Sequence, residues 1–261
     1  MVMRKLLYSA LLLLLVVSFG CGGGKEEEKA PAQPSATAPS AGTNMYDSAK
    51  STASVGGKVT FEGAAPTMAK LQLTPECQQA HGGPAFEEHV KVNPDNTLAN
   101  VFVYVKEGAE KWNYPEPTDQ PVLDQLGCQY VPHVLAVRVN QNLTILNSDP
   151  FLHNVHPQPT ANQQFNQGMP VKGMKIEHKF AAPEIMIPVK CDVHRWMQAY
   201  IAVMKHPFYN ISGDDGSYSI KNLPAGNFTI EAWHEKYGAQ TQQITVTDGE
   251  SKEVSFNFKA S

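Results

Sequence analysis

The sequence predicts an all-β protein. Beyond the first twenty or so residues, no apolar pattern at helical spacing runs long enough to suggest a helix. Short stretches rich in Val, Ile, Phe and Tyr recur instead, divided by Gly, Pro and Asn turns. From Phe208 onward, apolar and polar residues alternate with the period of a half-buried strand. Many short strands with such turns imply a sandwich or barrel.

The chain opens with a basic Met1–Lys5 segment and an apolar run from Leu6 to Phe19. That run falls short of the roughly 20 residues needed to span a bilayer and reads, over 1–20, as a secretory signal. Gly20-Cys21 ends it and resembles the lipobox of bacterial lipoproteins, although Ser18 stands where an aliphatic residue is usual. The resemblance implies a lipid anchor on Cys21 and a location outside the inner membrane, in the periplasm or at the outer membrane. Residues 21–56 hold a Gly run, Lys25-Glu26-Glu27-Glu28-Lys29 and a Pro/Ala/Ser/Thr tract. That composition cannot bury enough apolar surface to order itself and is expected to be a tether. The formal net charge of −4 excludes the basic footprint that nucleic-acid binding requires.

Strand character then appears at Lys58–Phe61, Val90–Val92 and Val101–Val105, the last two flanking a turn at Asn93-Pro94-Asp95-Asn96. It returns at Val134–Val139, Leu143–Leu146, Ile185–Val189 and Tyr200–Met204. The turn residues Asp215-Gly216 and Leu223-Pro224-Ala225-Gly226, between alternating strands, resemble the carboxypeptidase regulatory-like, transthyretin-type β module over about Phe208–Phe258. This implies a second small sandwich at 207–261, after a domain at 57–206. Gly57-Lys58-Val59 to Gly63 resembles the opening strand of the same module, so the region that follows it, with its core at 129–204, is alternatively an insertion between the module's strands.

Four residues carry the chemistry. Cys191, His194 and Met197 sit in Cys191-Asp192-Val193-His194-Arg195-Trp196-Met197, where a strand gives way to a tight loop. His153 lies on another predicted segment, in Asn147-Ser148-Asp149-Pro150-Phe151-Leu152-His153-Asn154-Val155-His156. Two imidazoles, one thiolate and a weak axial thioether are the ligands of a blue-copper electron-transfer site, since thiolate suits Cu(I) and imidazole also suits Cu(II). The Cys-x-x-His-x-x-Met spacing, Asn147 and the run His153–His156 resemble amicyanin, a cupredoxin, over about 129–204. The resemblance implies a Greek-key β-sandwich holding one type 1 copper. It further implies that the Asn154 amide donates to the Cys191 sulfur and that Asn147 braces the ligand loop. Asp192 and Arg195 depart from the family pattern.

The expected function is single-electron transport, with copper handling as the alternative. No second histidine-rich site or Ser/His/Asp arrangement points to an enzyme. With Cys21 and Cys191 assigned, Cys77 and Cys128 remain and read as a disulfide in an oxidising compartment, with a second metal site as the alternative. A redox partner is expected to dock near Phe151, Trp196 and His194, with the His194 ring edge exposed.

Overall fold

The computed structural model describes residues 44–260, so the signal segment and Cys21 lie outside the described residues. The chain begins with β1 (Asn44–Met45), β2 (Ala53–Glu62), α1 (Pro75–His81), β3 (Phe102–Glu107) and β4 (Trp112–Asn113). A central block follows, made of β5 (Val122–Leu126), β6 (Gln129–Val131), β7 (Val134–Arg138), β8 (Leu143–Asn147), β9 (His153–Pro157), β10 (Gln167–Met169), β11 (Lys175–His178), β12 (Glu184–Lys190) and β13 (Gln198–Met204). The last stretch adds β14 (Tyr209–Ile211), β15 (Ser217–Leu223), β16 (Gly226–His234), β17 (Gly238–Val246), β18 (Ser251–Glu253) and β19 (Phe256–Lys259). The all-β expectation holds, and no described helix is long and apolar enough to cross a membrane.

Four larger sheets stack through three apolar cores. Sheet β10-β9-β12-β13-β7 faces sheet β11-β8-β5-β6. Between them lie Leu123, Tyr130, Leu143, Ile145, Ile187, Ile201 and Val203. Sheet β14-β3-β16-β17 faces β15-β2-β18, with β19 pairing β2, over Val59, Phe61, Val103, Val105, Ile230 and Phe258. The period-2 alternation of β3 and β13 joins the two sandwiches. Phe102 and Tyr104 point one way from β3, Ala202 and Met204 one way from β13, and together they form a third core. Both strands are therefore buried on both faces, which is why they read as continuous apolar runs.

Strand pairing corrects the domain boundaries. β2 pairs with β15, β18 and β19, and β3 with β14 and β16. The N-terminal strands thus belong to the C-terminal sandwich, and the central block is an insertion between β4 and β14. The tether expectation over 21–56 is also too long, because Ala53 and Val55 are buried in β2. Val90–Val92 forms no strand: one isolated bridge, Val92 to Leu98, spans the Asn93–Asn96 turn, where Pro94 lacks a ladder donor.

The sequence reading missed α1. Its signals are local: Thr74 caps the Cys77 amide, Pro75 opens the helix, and Gly82 closes it at φ +74°. Only Cys77 of this helix is buried, and it is joined to Cys128, with a Cα–Cα distance of 5.5 Å. That bond closes a loop across 51 residues of sequence separation, a constraint on the unfolded chain of about 4 kcal/mol.

His234 makes the second sandwich pH-sensitive. Its ring is buried against Tyr237 and Phe258, and Nδ1 accepts the Lys236 amide at 3.1 Å. Burial pushes its pKa down to about 4, against an ordinary 6.5. The unfolded chain then binds a proton that the folded chain refuses, so this contribution is complete above pH 6.5 and lost as pH falls toward 4. The loss attributable to His234 is at most about 3 kcal/mol. Urea unfolding at pH 7 and pH 4.5 checks this: His234→Asn, which keeps an acceptor, should lose visibly less stability on acidification than the wild type.

Candidate metal centre

The centre forms at one end of the inserted sandwich, where β9 begins and β12 ends. His153 opens β9 and Cys191 follows β12, so sheet geometry sets both. A tight loop then carries His194 and Met197 back into the same core. The Met197 amide donates to the His194 carbonyl (2.9 Å), and the Cys191 amide to the Met197 carbonyl (3.3 Å). His153, Cys191, His194 and Met197 are at most 4% exposed.

One donor atom from each of His153, Cys191 and His194 lies within 4.8 Å of the other two. The Nδ1 atoms of the histidines face each other at 2.9 Å, and Cys191 Sγ is 4.0 Å from His194 Nδ1. Met197 shares the apolar cluster around Cys191. The structure therefore brings three of the four expected ligands together, and Met197 is buried in the same apolar cluster.

Asp149 fixes the tautomer of His153 and was not foreseen. Its buried Oδ2 lies 2.8 Å from His153 Nε2, which donates to it and leaves a lone pair on Nδ1. The same carboxylate accepts the amides of Gly127 and Cys128, both at 2.8 Å. Burial alone would raise the Asp149 pKa, but His153 and these amides hold it low. Cys191 behaves likewise: burial pushes the thiol up, while His153 and the amides of Asn154, His194 and Val193 outweigh it and favour thiolate. A lone-pair nitrogen, a stabilised thiolate and a second imidazole aimed at one point match a soft-to-borderline metal ion.

The bracing differs from expectation. Asn147 Nδ2 donates to the carbonyls of Phe151 (2.9 Å) and Met169 (2.8 Å), and its Oδ1 accepts the Asp149 amide (3.0 Å). It ties down the strand end before His153, not the 191–197 loop. Asn154 braces that loop, because its Oδ1 accepts the amides of Asp192 (2.6 Å) and Val193 (3.3 Å). Asp192, a departure in the motif, completes a polar clasp by accepting from Asn166 (2.6 Å) and meeting His156 Nδ1 (3.1 Å).

The exposed edge expected for His194 is absent: the residue is 4% exposed. Trp196 lies over it at 5.2 Å between ring centroids and donates its Nε1–H to the Cys128 carbonyl (3.1 Å). Phe151 packs edgewise on both histidines at 5.3 and 6.2 Å, and the Cys77 and Cys128 sulfurs lie within 4.8 Å of a His194 ring nitrogen. The helix α1 and the disulfide thus cover a ring that sequence reasoning left in solvent. The second-metal alternative for Cys77 and Cys128 gives way to a disulfide bond.

No family model matches the chain, and no curated protein matches it. Among solved structures it is similar to a Cu-containing nitrite reductase from Thermus scotoductus SA-01, at 20% identity and TM-score 0.32, covering 40% of this chain. The chain spans only 25% of that reductase. It is similar to a variant of amicyanin in the Cu(I) state, at 22% identity and TM-score 0.30, over 34% of this chain and 87% of that one. A purple cupredoxin from Nitrosopumilus maritimus matches at 24% identity and TM-score 0.26, over 29% of this chain and 82% of that one. These likenesses are partial; the chain's own strands make the fold all-β, and the case for a metal rests on the side chains above.

If Asp149 sets the His153 tautomer, Asp149→Asn should weaken copper binding about 10- to 100-fold while leaving the β-sheet circular dichroism unchanged. Competition with a copper chelator measures this, and an unaltered affinity would remove Asp149 from the site.

Proposed function

We propose that the protein carries single electrons through one type 1 copper held by His153, Cys191, His194 and Met197, and is anchored through Cys21 outside the inner membrane. The observation that carries the reading is the convergence of two imidazole nitrogens and a thiolate-favouring sulfur within 4.8 Å, in a place sealed from water. Copper bound there would supply a one-electron couple whose two oxidation states both accept these ligands. The protein's part is rigidity. Asp149 holds one imidazole, Trp196 and Phe151 hold the other, and Asn154 with Asp192 holds the loop between Cys191 and His194. Ligands fixed from behind need little rearrangement when charge changes.

A partner would approach over the cover, where Trp196 and Phe151 are half-buried and Leu152 and Val193 are about 44–45% exposed. Exposed apolar residues beside a redox centre suit the small contact of an electron-transfer encounter. Exposed Arg195 favours an acidic partner. The C-terminal sandwich, proposed to be of the transthyretin type, would serve as the platform from which the copper block projects.

The visible spectrum of the copper-loaded protein tests the reading. An intense thiolate-to-copper band should appear, vanish in Cys191→Ser, and persist in Met197→Leu with a raised reduction potential. A colourless Cu(II) form, or a Cys191→Ser variant that stays blue, would overturn it.

A further inference from the structure

The cover over His194 contains sulfur, and its placement is not needed for a simple shield. Both sulfurs of the Cys77–Cys128 bond and a ring nitrogen of His194 lie within 4.8 Å of one another, and all three residues are buried. We infer that Cys77, Cys128 and His194 form a second, latent soft-metal site that takes up one Cu(I) when the disulfide is reduced. The inference rests on the copper reading of the neighbouring ligands only for the choice of metal.

The donors stay together without the S–S bond because other interactions hold each segment. Asp149 fixes the Gly127 and Cys128 amides at 2.8 Å, and Trp196 Nε1 donates to the Cys128 carbonyl at 3.1 Å. On the other side, Thr74 caps the helix that carries Cys77, and His81 Nδ1 meets the Gly127 carbonyl at 3.2 Å. Leu73 packs on the same apolar cluster as both cysteines. None of these contacts passes through sulfur, so reduction should free two thiols in place.

The chemistry balances with a dithiol as the reductant. The Cys77–Cys128 bond breaks and takes up two electrons and two protons, giving two thiols, while the dithiol loses the same and closes into its own disulfide. Binding Cu(I) then releases both thiol protons to solvent and leaves two thiolate ligands, and where the other ring nitrogen of His194 already holds the first copper, the remaining imidazole N–H proton is released as well. Two thiolates and an imidazole suit a soft monovalent ion far better than a hard one. Access for the reductant is local. The helix has seven residues, and Cys77 is its only buried one, so opening it disturbs little else.

The test is an anaerobic Cu(I) titration of the apo-protein against a coloured Cu(I) chelator. It compares the disulfide-intact form with a form reduced by a water-soluble phosphine and then desalted. The reduced form should bind one more equivalent than the intact form, and the Cys77→Ser/Cys128→Ser double variant should show no such gain. If the copper assignment within the electron-carrier reading fails, the intact form binds no copper but the gain of one equivalent remains; the baseline tests that assignment and the increment tests this one. Equal uptake by both forms, or a gain that survives in the double variant, would overturn the inference. So would collapse of the near-UV circular dichroism on reduction, since the non-covalent contacts would then have failed to hold the donors.

Discussion

A single buried carboxylate organises the metal end of this protein. Asp149 is 2% exposed and would be costly there without partners. It has three, the His153 Nε2–H and the amides of Gly127 and Cys128. Through the first it fixes a ligand's orientation; through the other two it fixes the β5–β6 hairpin, where Cys128 adopts a left-handed φ of +57°. The hairpin in turn positions the disulfide, the disulfide positions α1, and α1 covers His194. Metal site and cover therefore share one anchor, and disturbing it loosens both.

The layered sheets explain how such a site can be held rigidly. β13, which follows the ligand loop, is buried on both faces, with Ile201 and Val203 in one core and Ala202 and Met204 in the next. It also pairs with β12, which leads into Cys191, across Ile187–Lys190 and Gln198–Ile201. The ligand loop is thus a short span between two strands that cannot shift without repacking two cores. Placing the central block as an insertion between β4 and β14 lets the second sandwich clamp β13 from behind.

What could be read in the sequence follows from range. The strands announced themselves because alternation and turn residues are local, and the candidate site because Cys191, His194 and Met197 lie in one short motif. The disulfide was legible through cysteine arithmetic. Other features were illegible for physical reasons. That β2 belongs with β15 and β19 depends on register across about 160–200 residues, which no local pattern encodes. Asp149 sits four residues before His153 beside Pro150, where it resembles an ordinary turn aspartate until its burial is known. The role of Asn147 was misassigned because side-chain direction at a strand end depends on the pleat, and a shift of one residue changes the face, whereas the Asn154 amide meets the Cys191 sulfur as the resemblance implied.

The most consequential mismatch is the burial of His194. A ring edge in solvent allows direct contact with a partner but also with water and stray ligands. Here α1, Trp196 and the Cys77–Cys128 bond close that edge, which on the proposed electron-carrier reading would lengthen the path from the metal to a docking surface. Trp196 would offset part of that lengthening. Its ring stacks at a tilt on His194 while its Nε1–H is held by Cys128, so it is both a cover and a fixed aromatic bridge toward the surface. On the proposed electron-carrier reading, the electron's way out and the lid over the metal would be one structure. A change that opens the lid would also remove the bridge, so shielding and conduction could not be improved independently in this fold.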